Sequence, residues 1–362
     1  MNKPQASNRS VHSRRHFLRA ASWLGSGIPL LGAGTALAVD GGENPEKEKT
    51  AEELLNPETK TAIDRGLRFL AGRQVTLGSN RGAFGSGGYP GSVGICGLAG
   101  IAFMSSGSTP GIGTYGKNVE DVADFLARNT QKSGYIARQS NDLGNMYGHG
   151  FAMLCLSQAY GMSGKRELGE KLKLAVNCTI AAQNDQGGWR YRPVKSDADL
   201  SVTVCQVMAL RGARDAGINV PDKVRDKTID YVKKSQAGDG SFRYTMNGGH
   251  TTFPLTAAGL VSLFSAGIYE GKEIERGLEY LKGNRESLSN HYYFYGHYYA
   301  VQAMWHAGGR WWNEWYPYIR EVLVKKQSKN GSWSSSYGAE YATAMATIIL
   351  QMPNDMLPIF AR

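Results

Sequence analysis

Cysteine is scarce in this chain, and where it stands excludes more than its number does. There are 4 cysteines in 362 residues, Cys96, Cys155, Cys178 and Cys205, and no two have the short spacing of a zinc or redox pair. Each lies inside an apolar helical run, which reads as a small buried hydrophobe rather than a disulfide framework. Long hydrophobic runs are lacking too. Beyond residue 38 no uninterrupted apolar stretch reaches membrane-spanning length, so no stable membrane span is expected there. Blocks of Lys or Arg are also missing. The formal net charge of +10 is dispersed along the chain, so nucleic acid is not an expected partner.

The N-terminus carries a targeting pattern that has to be set aside before the rest is read. Ser13-Arg14-Arg15-His16-Phe17-Leu18-Arg19 matches the twin-arginine export pattern, and Ala20 to Leu37 follows as a weakly apolar stretch diluted by Gly25, Gly27, Gly32 and Gly34. Ala36-Leu37-Ala38 offers a small-x-small cleavage site. Residues 1–38 are therefore expected to be a signal peptide, with the mature N-terminus near Val39, the twin-arginine translocase as a partner during export, and a periplasmic or secreted location. Lys3, Arg9, Arg14, Arg15 and Arg19 leave with it and no acidic residue does, which brings the net charge from +10 to +5.

What the rest contains is an internal repeat. A charged segment ending in Gln is followed by Gly, an aromatic residue and an apolar segment. The glutamines are Gln74, Gln131, Gln183, Gln236 and Gln327, with gaps of 57, 52, 53 and 91 residues, so the period is about fifty and the last gap holds two units. The aromatic partners are Phe84, Tyr135, Trp189, Phe242 and Trp333, while the unit from Gly271 to Gly308 lacks the signature. The first segment of a unit is charged, as in Asp222 to Ser235, and must keep one face in water. The second is nearly uncharged: Ser92 to Ser106, Phe253 to Gly267 and Tyr293 to Ala307 contain no Asp, Glu, Lys or Arg. A helix apolar all round is buried all round. The pattern predicts an all-α fold of six helical hairpins, an (α/α)6 toroid with inner and outer rings of helices. Its expected layout is a flexible linker over 39–57, the toroid over 58–352 and a C-terminal tail over 353–362.

Gln236-Ala237-Gly238-Asp239-Gly240-Ser241-Phe242 and Gln327-Ser328-Lys329-Asn330-Gly331-Ser332-Trp333 resemble the QW repeat of squalene-hopene cyclase. The chain thus looks like the terpenoid cyclase and protein prenyltransferase superfamily, including its prenyltransferase and squalene oxidase repeat proteins. The resemblance implies that each Gln satisfies a helix terminus while the aromatic ring ties neighbouring hairpins. Asp197-Ala198-Asp199-Leu200-Ser201-Val202-Thr203 resembles the Asp-x-Asp-Asp-Thr motif of class II terpene cyclases, whose middle Asp protonates an alkene. Asp199 takes that position, with Leu200 and Ser201 in place of the next Asp and Thr. Asp199 also reads as an ordinary helix N-cap. His250-Thr251-Thr252-Phe253 is similar to a segment of prenyltransferase β subunits, but no Asp-x-Cys occurs anywhere in the chain. Zinc-dependent prenyl transfer is disfavoured, and neither a metal nor a cofactor is expected.

In such a toroid the inner helices run parallel, so their N-termini crowd one rim. Polar residues recur near those starts: Tyr147 and His149, Asp197 and Asp199, His250, His291 and His297, and Glu340 with Tyr341. The rim is expected to be the functional end. Asp199 is its candidate acid with His149 and Glu340 in support, and Tyr147, Asp197, His250, His297, Tyr298 and Tyr341 are its candidate ligand contacts. The aromatic run Tyr292 to Tyr299 suits either a ligand cavity or core packing. Two functions stay open. One is an exported toroid binding an apolar small molecule or a polymer in its cavity without full cyclase chemistry. The other is an enzyme, terpenoid cyclase-like or polysaccharide-active as a lyase or hydrolase, with Asp199 as general acid.

Overall fold

A computed structural model describes residues 48–138, 146–286 and 292–362. The expected signal peptide, the pair Arg14 and Arg15, residues 39–47 of the expected linker and His291 lie outside the described residues. Helix starts follow local capping chemistry. Asn56 accepts from the Thr59 N–H with Pro57 next to it, Asp199 accepts from Val202 N–H, and Thr252 accepts from Leu255 N–H. After the short α1 (Ala51–Leu54) come the hairpins α2 (Pro57–Arg73) with α3 (Val93–Ser105), α4 (Gly116–Arg128) with α5 (Met146–Ser163), and α6 (Arg166–Ala182) with α7 (Leu200–Asp215). The other three are α8 (Asp222–Lys234) with α9 (Phe253–Ser265), α10 (Lys272–Gly283) with α11 (Tyr293–Ala307), and α12 (Gly309–Lys326) with α13 (Ala339–Gln351).

Burial separates the two rings as the charge pattern requires. Every residue of α3 and of α9 is buried. The outer α8 buries only Val224, Thr228, Tyr231 and Val232, a stripe at helical spacing. The inner helices touch in the order α3, α5, α7, α9, α11, α13 and back to α3. The ring is closed, an all-α toroid. Its small β-hairpin, β1 (Arg243–Thr245) and β2 (Gly248–Thr251), stands between α8 and α9. Among the described residues no helix is long and apolar enough to cross a membrane.

The repeated glutamines join neighbouring hairpins. Nε2 of Gln74 donates to Asn118 O in α4 at 3.0 Å, Gln183 to Val224 O in α8 at 2.9 Å, and Gln236 to Glu273 O in α10 at 2.8 Å. Gln131 differs, reaching only Ala137 O in its own loop. After Gln74, Gln183 and Gln236 a glycine, Gly82, Gly187 or Gly240, presses on the same neighbour. Gly187 has φ of 100°, and a Cβ on it would lie 2.2 Å from Lys227 O, so a side chain there is excluded by both strain and space. Trp189 and Trp333 are buried, each donating its indole N–H at 2.8 Å to a carbonyl of the preceding outer helix, Thr179 O and Leu323 O.

Both ends of the expected layout differ from the packing. Leu54 and Leu55, in the expected linker, are buried. Residues 353–362 are no free tail: Leu357, Ile359 and Phe360 are buried, Trp305 Nε1 donates to Phe360 O at 2.7 Å, and Arg211 donates to Ala361 O. These apolar side chains cover inner-helix surface that water would otherwise reach, which is why the segment stays on the ring.

Candidate functional site

A cavity of about 960 Å³ opens at the N-terminal ends of the inner helices. Ser92 and Gly94 of the α3 start line it, with Tyr147 of α5, Ser201 of α7, Phe253 of α9, Tyr295 of α11 and Tyr341 of α13. Its wall is phenolic. Tyr89, Tyr147, Tyr191, Tyr244, Tyr280, Tyr292, Tyr295, Tyr337 and Tyr341 all line it, and among the described residues no Asp, Glu, Lys or Arg does. Among the described residues no group of three His, Cys, Asp or Glu side chains could hold a metal ion.

Asp199 lies behind this wall and is fully buried. Its Oδ1 accepts from Val202 N at 2.9 Å and from Ser201 Oγ at 2.6 Å. Its Oδ2 lies 3.3 Å from Arg190 Nε and accepts from Tyr244 Oη at 3.4 Å. Burial moves its pKa up from the ordinary value, against the opposing pull of the Ser201 and Val202 hydrogen bonds and the Arg190 charge. Two of its donors, an arginine and a backbone N–H, have no acceptor capacity, and they sit one on each oxygen. That arrangement suits a carboxylate acting as the α7 N-cap.

The network around it reaches the cavity. Ser201 Oγ is 2.5 Å from Tyr147 Oη, Tyr295 Oη donates to Ser201 O at 2.6 Å, and Tyr244 Oη is hydrogen-bonded to Tyr191 Oη. The Arg190 guanidinium lies 5.0 Å from the centre of the Tyr191 ring and 5.3 Å from that of Tyr244.

The remaining sequence-selected residues divide. Tyr147, His250 and Tyr341 line the cavity. His250 does so from β2 rather than from a helix start, its ring stacked on Tyr244 at 5.5 Å. Asp197 is an exposed loop residue paired with Arg190. Glu340 is buried and points back at the first hairpin, accepting from Ser86 Oγ at 2.7 Å and Arg73 Nε at 2.9 Å. Burial raises its pKa, but those hydrogen bonds outweigh it and hold the carboxyl below the usual range. His297 is buried against Tyr293, Phe253 and Trp315, between α11 and α12. Burial and the nearby Lys326 push its pKa down to about 3. Tyr298 is buried in the ring beside Phe151 and Tyr299. None of Asp197, Glu340, His297 and Tyr298 lines the cavity.

His149 is a correction with a structural reason. Its Nδ1 accepts from Ile136 N at 3.1 Å. The same position in other repeats is filled by Thr: Trp189 N donates to Thr203 Oγ1, Phe242 N to Thr256 Oγ1 and Trp333 N to Thr343 Oγ1, each at 3.1 Å. His149 Nε2 is 2.8 Å from Thr179 Oγ1, which itself donates to Ala175 O. These partners fix a neutral ring with its proton on Nε2, and burial pushes its pKa down to about 4. It is a repeat-building residue in a supporting acid–base role only by sequence position.

The residues missed in the sequence are Arg190, Tyr191 and Tyr244. Arg190 and Tyr191 directly follow the repeat aromatic Trp189, and Tyr244 follows Phe242 by two. Polar residues just past the aromatic plug are the signal that marks them.

No protein-family profile matches the chain. No curated protein matches it either. Solved structures do. A type II terpene cyclase from Scytonema, in complex with geranylgeranyl dihydroxybenzoate as substrate, has a TM-score of 0.56 at 13% identity, covering 85% of this chain and 99% of its own. A cellobiose 2-epimerase from Spirochaeta thermophila has 0.61 at 13%, covering 83% and 98%. An α-amylase from Clostridium perfringens has 0.57 at 11%, covering 80% and 97%. At such identities the likeness concerns architecture, and it places this chain among the α/α toroids.

Proposed function

We propose that this chain is an exported binding toroid that holds a molecule with an apolar body in its central cavity and returns it chemically unchanged. The observation that carries this reading is the cavity of about 960 Å³ walled by tyrosines and, among the described residues, free of charged side chains, a setting for an apolar ligand with few polar contacts. The Scytonema cyclase, a neighbour in fold, takes a geranylgeranyl compound, which makes an isoprenoid the ligand class to try first. The carboxyl that would start cyclisation is committed to Arg190 and to the α7 N-terminus. Hydrolysis or elimination on a polysaccharide fits less well: glycoside hydrolysis needs a pair of carboxyl groups facing the sugar, and among the described residues no carboxyl lines this cavity.

Organic extraction of the purified mature protein followed by mass spectrometry tests the reading. The expected result is an isoprenoid or similar lipid in stoichiometric amount, and an added polyprenyl compound recovered without rearrangement. Recovery of a cyclised product that depends on Asp199 would replace this reading with the cyclase. The export part rests on Arg14 and Arg15. Arg14→Lys with Arg15→Lys should retain the protein in the cytoplasm uncleaved, and normal export of that variant would remove the twin-arginine route.

A further inference from the structure

Hydroxyl protons can be assigned around Asp199, and the assignment says what kind of head group the cavity takes. Val202 N–H and the Arg190 guanidinium are donors that cannot reverse, one on each carboxylate oxygen. The Ser201 hydroxyl spends its proton on Oδ1. Tyr147, 2.5 Å from that same Oγ, must then be the donor in its contact with Ser201. Tyr295 donates to the Ser201 carbonyl at 2.6 Å, and a carbonyl has nothing to give back. On the other side Tyr244 donates to Oδ2, so the contact between Tyr191 and Tyr244 takes its proton from Tyr191.

Tyr147, Tyr191 and Tyr295 all line the cavity, and each has turned its only proton into the protein. What they have left for a ligand is lone pairs. The rings of Tyr147 and Tyr295 meet edge to face at 6.2 Å, so two such oxygens flank Ser201 together. Burial drives the pKa of both phenols far above the ordinary value, which keeps them neutral.

We infer that the cavity surface around Ser201 is an acceptor-only subsite for a neutral hydrogen-bond donor, and that the ligand is an alcohol whose hydroxyl donates to the Tyr147 and Tyr295 oxygens. The inference rests on the cavity reading above and adds the chemistry of the ligand's head. A carboxylate or phosphate head would meet lone pairs where it needs donors. Among the described residues an ammonium head has no facing carboxylate, and the ring faces of Tyr191 and Tyr244 already carry Arg190. A hydroxyl is the remaining head that supplies a proton without a charge.

Three ligands of one chain length separate the cases: farnesol, farnesyl methyl ether and farnesoic acid, with the hydrocarbon farnesene as the bodily control. Titration calorimetry on the purified mature protein gives the dissociation constants. Farnesol is expected to bind about tenfold tighter than the ether or the acid, and Tyr147→Phe or Tyr295→Phe should narrow the ratio of alcohol to ether to within about threefold. Ether or acid binding as tightly as the alcohol overturns the subsite and leaves the apolar cavity standing. Failure of all four, farnesene included, overturns both. If either variant does not fold, the wild-type ratio and the other variant decide.

Discussion

The Gln327 side chain donates to the Ala62 carbonyl across 2.8 Å, a bond that helps join the last hairpin to the first alongside those of Arg65 to Ser328 O and of Glu340 with Ser86 and Arg73. A linear array of hairpins would leave α2 and α13 with exposed apolar flanks. Here Gly66 of α2 sits so close to Trp333 and to Thr347 of α13 that an added Cβ would fall 2.5 Å from the Thr347 methyl. Closure therefore comes from the same Gln and aromatic pair that links the interior repeats, used once more between the chain's two ends.

Trp333 tests that closure. It is buried, and its indole N–H is bonded to Leu323 O. Trp333→Ala should cost about 3 to 5 kcal/mol, from lost burial and the cavity left behind. Gln327→Ala should cost about 1 to 3 kcal/mol, because the Ala62 carbonyl loses its partner. Gln131→Ala, whose bond stays within its own loop, should cost less than Gln327→Ala. Denaturant midpoints of the three variants give the order, and equal losses at Gln131 and Gln327 would mean that ring closure is not where the energy lies.

Asp199 should behave as a cap and an ion-pair partner. Asn caps a helix about as well as Asp does, while Ala does not. Asp199→Ala should lose about 1 to 2 kcal/mol for the cap alone, and more because Arg190 loses its buried carboxylate partner. Asp199→Asn should fall between Ala and the wild type in thermal denaturation. An Asn variant as unstable as the Ala variant would indicate that charge pairing with Arg190, not capping, dominates.

The repeat, the helices and their two-ring order were legible because they rest on composition and period. Which side chains reach the cavity was not. Successive residues on a helix point about 100° apart, so Tyr147 and His149, two positions apart at one helix start, face nearly opposite ways. Tyr147 lines the cavity, and His149 turns back to accept from Ile136. Tyr341 and Glu340 divide in the same manner. Knowing that a residue belongs to the rim does not say which way it points until the crossing of the helices is known. Arg190 escaped because its partner Asp199 is reached by a turn of the loop between them that no period describes.

Acid should unfold the protein through its buried histidines. His149 has a folded pKa near 4, and His297 and His306 have values near 3, all below the ordinary value of about 6.5. Below pH 6.5 the unfolded chain takes up protons that the folded chain refuses, so stability falls as pH drops from about 6.5 toward about 4, by up to about 1.4 kcal/mol per pH unit for each group. Asp199, whose pKa is raised, works in the opposite sense. His297→Phe should flatten the slope of denaturation midpoint against pH between 6.5 and 5. A slope unchanged in that variant would place the acid sensitivity elsewhere.

The C-terminal segment offers the last test, since Leu357, Ile359 and Phe360 are buried while Trp305 and Arg211 bond to the carbonyls of Phe360 and Ala361. Arg362 adds a contact with the Trp305 ring at 3.5 Å and a salt bridge to Glu48. A chain ending at Asp355 exposes surface on the inner helices that the three apolar side chains cover, each worth about 1.5 to 3 kcal/mol when fully buried. It should therefore lose several kcal/mol and bind more of an apolar dye than the intact protein does. Phe360→Ala should show a smaller loss of the same kind. Restoration of the truncated protein by an added peptide of residues 356–362 would separate a docked segment from one whose removal merely prevents folding. An equally stable truncated chain without added dye binding would mean that the inner-helix surface is sealed by side chains of the ring itself.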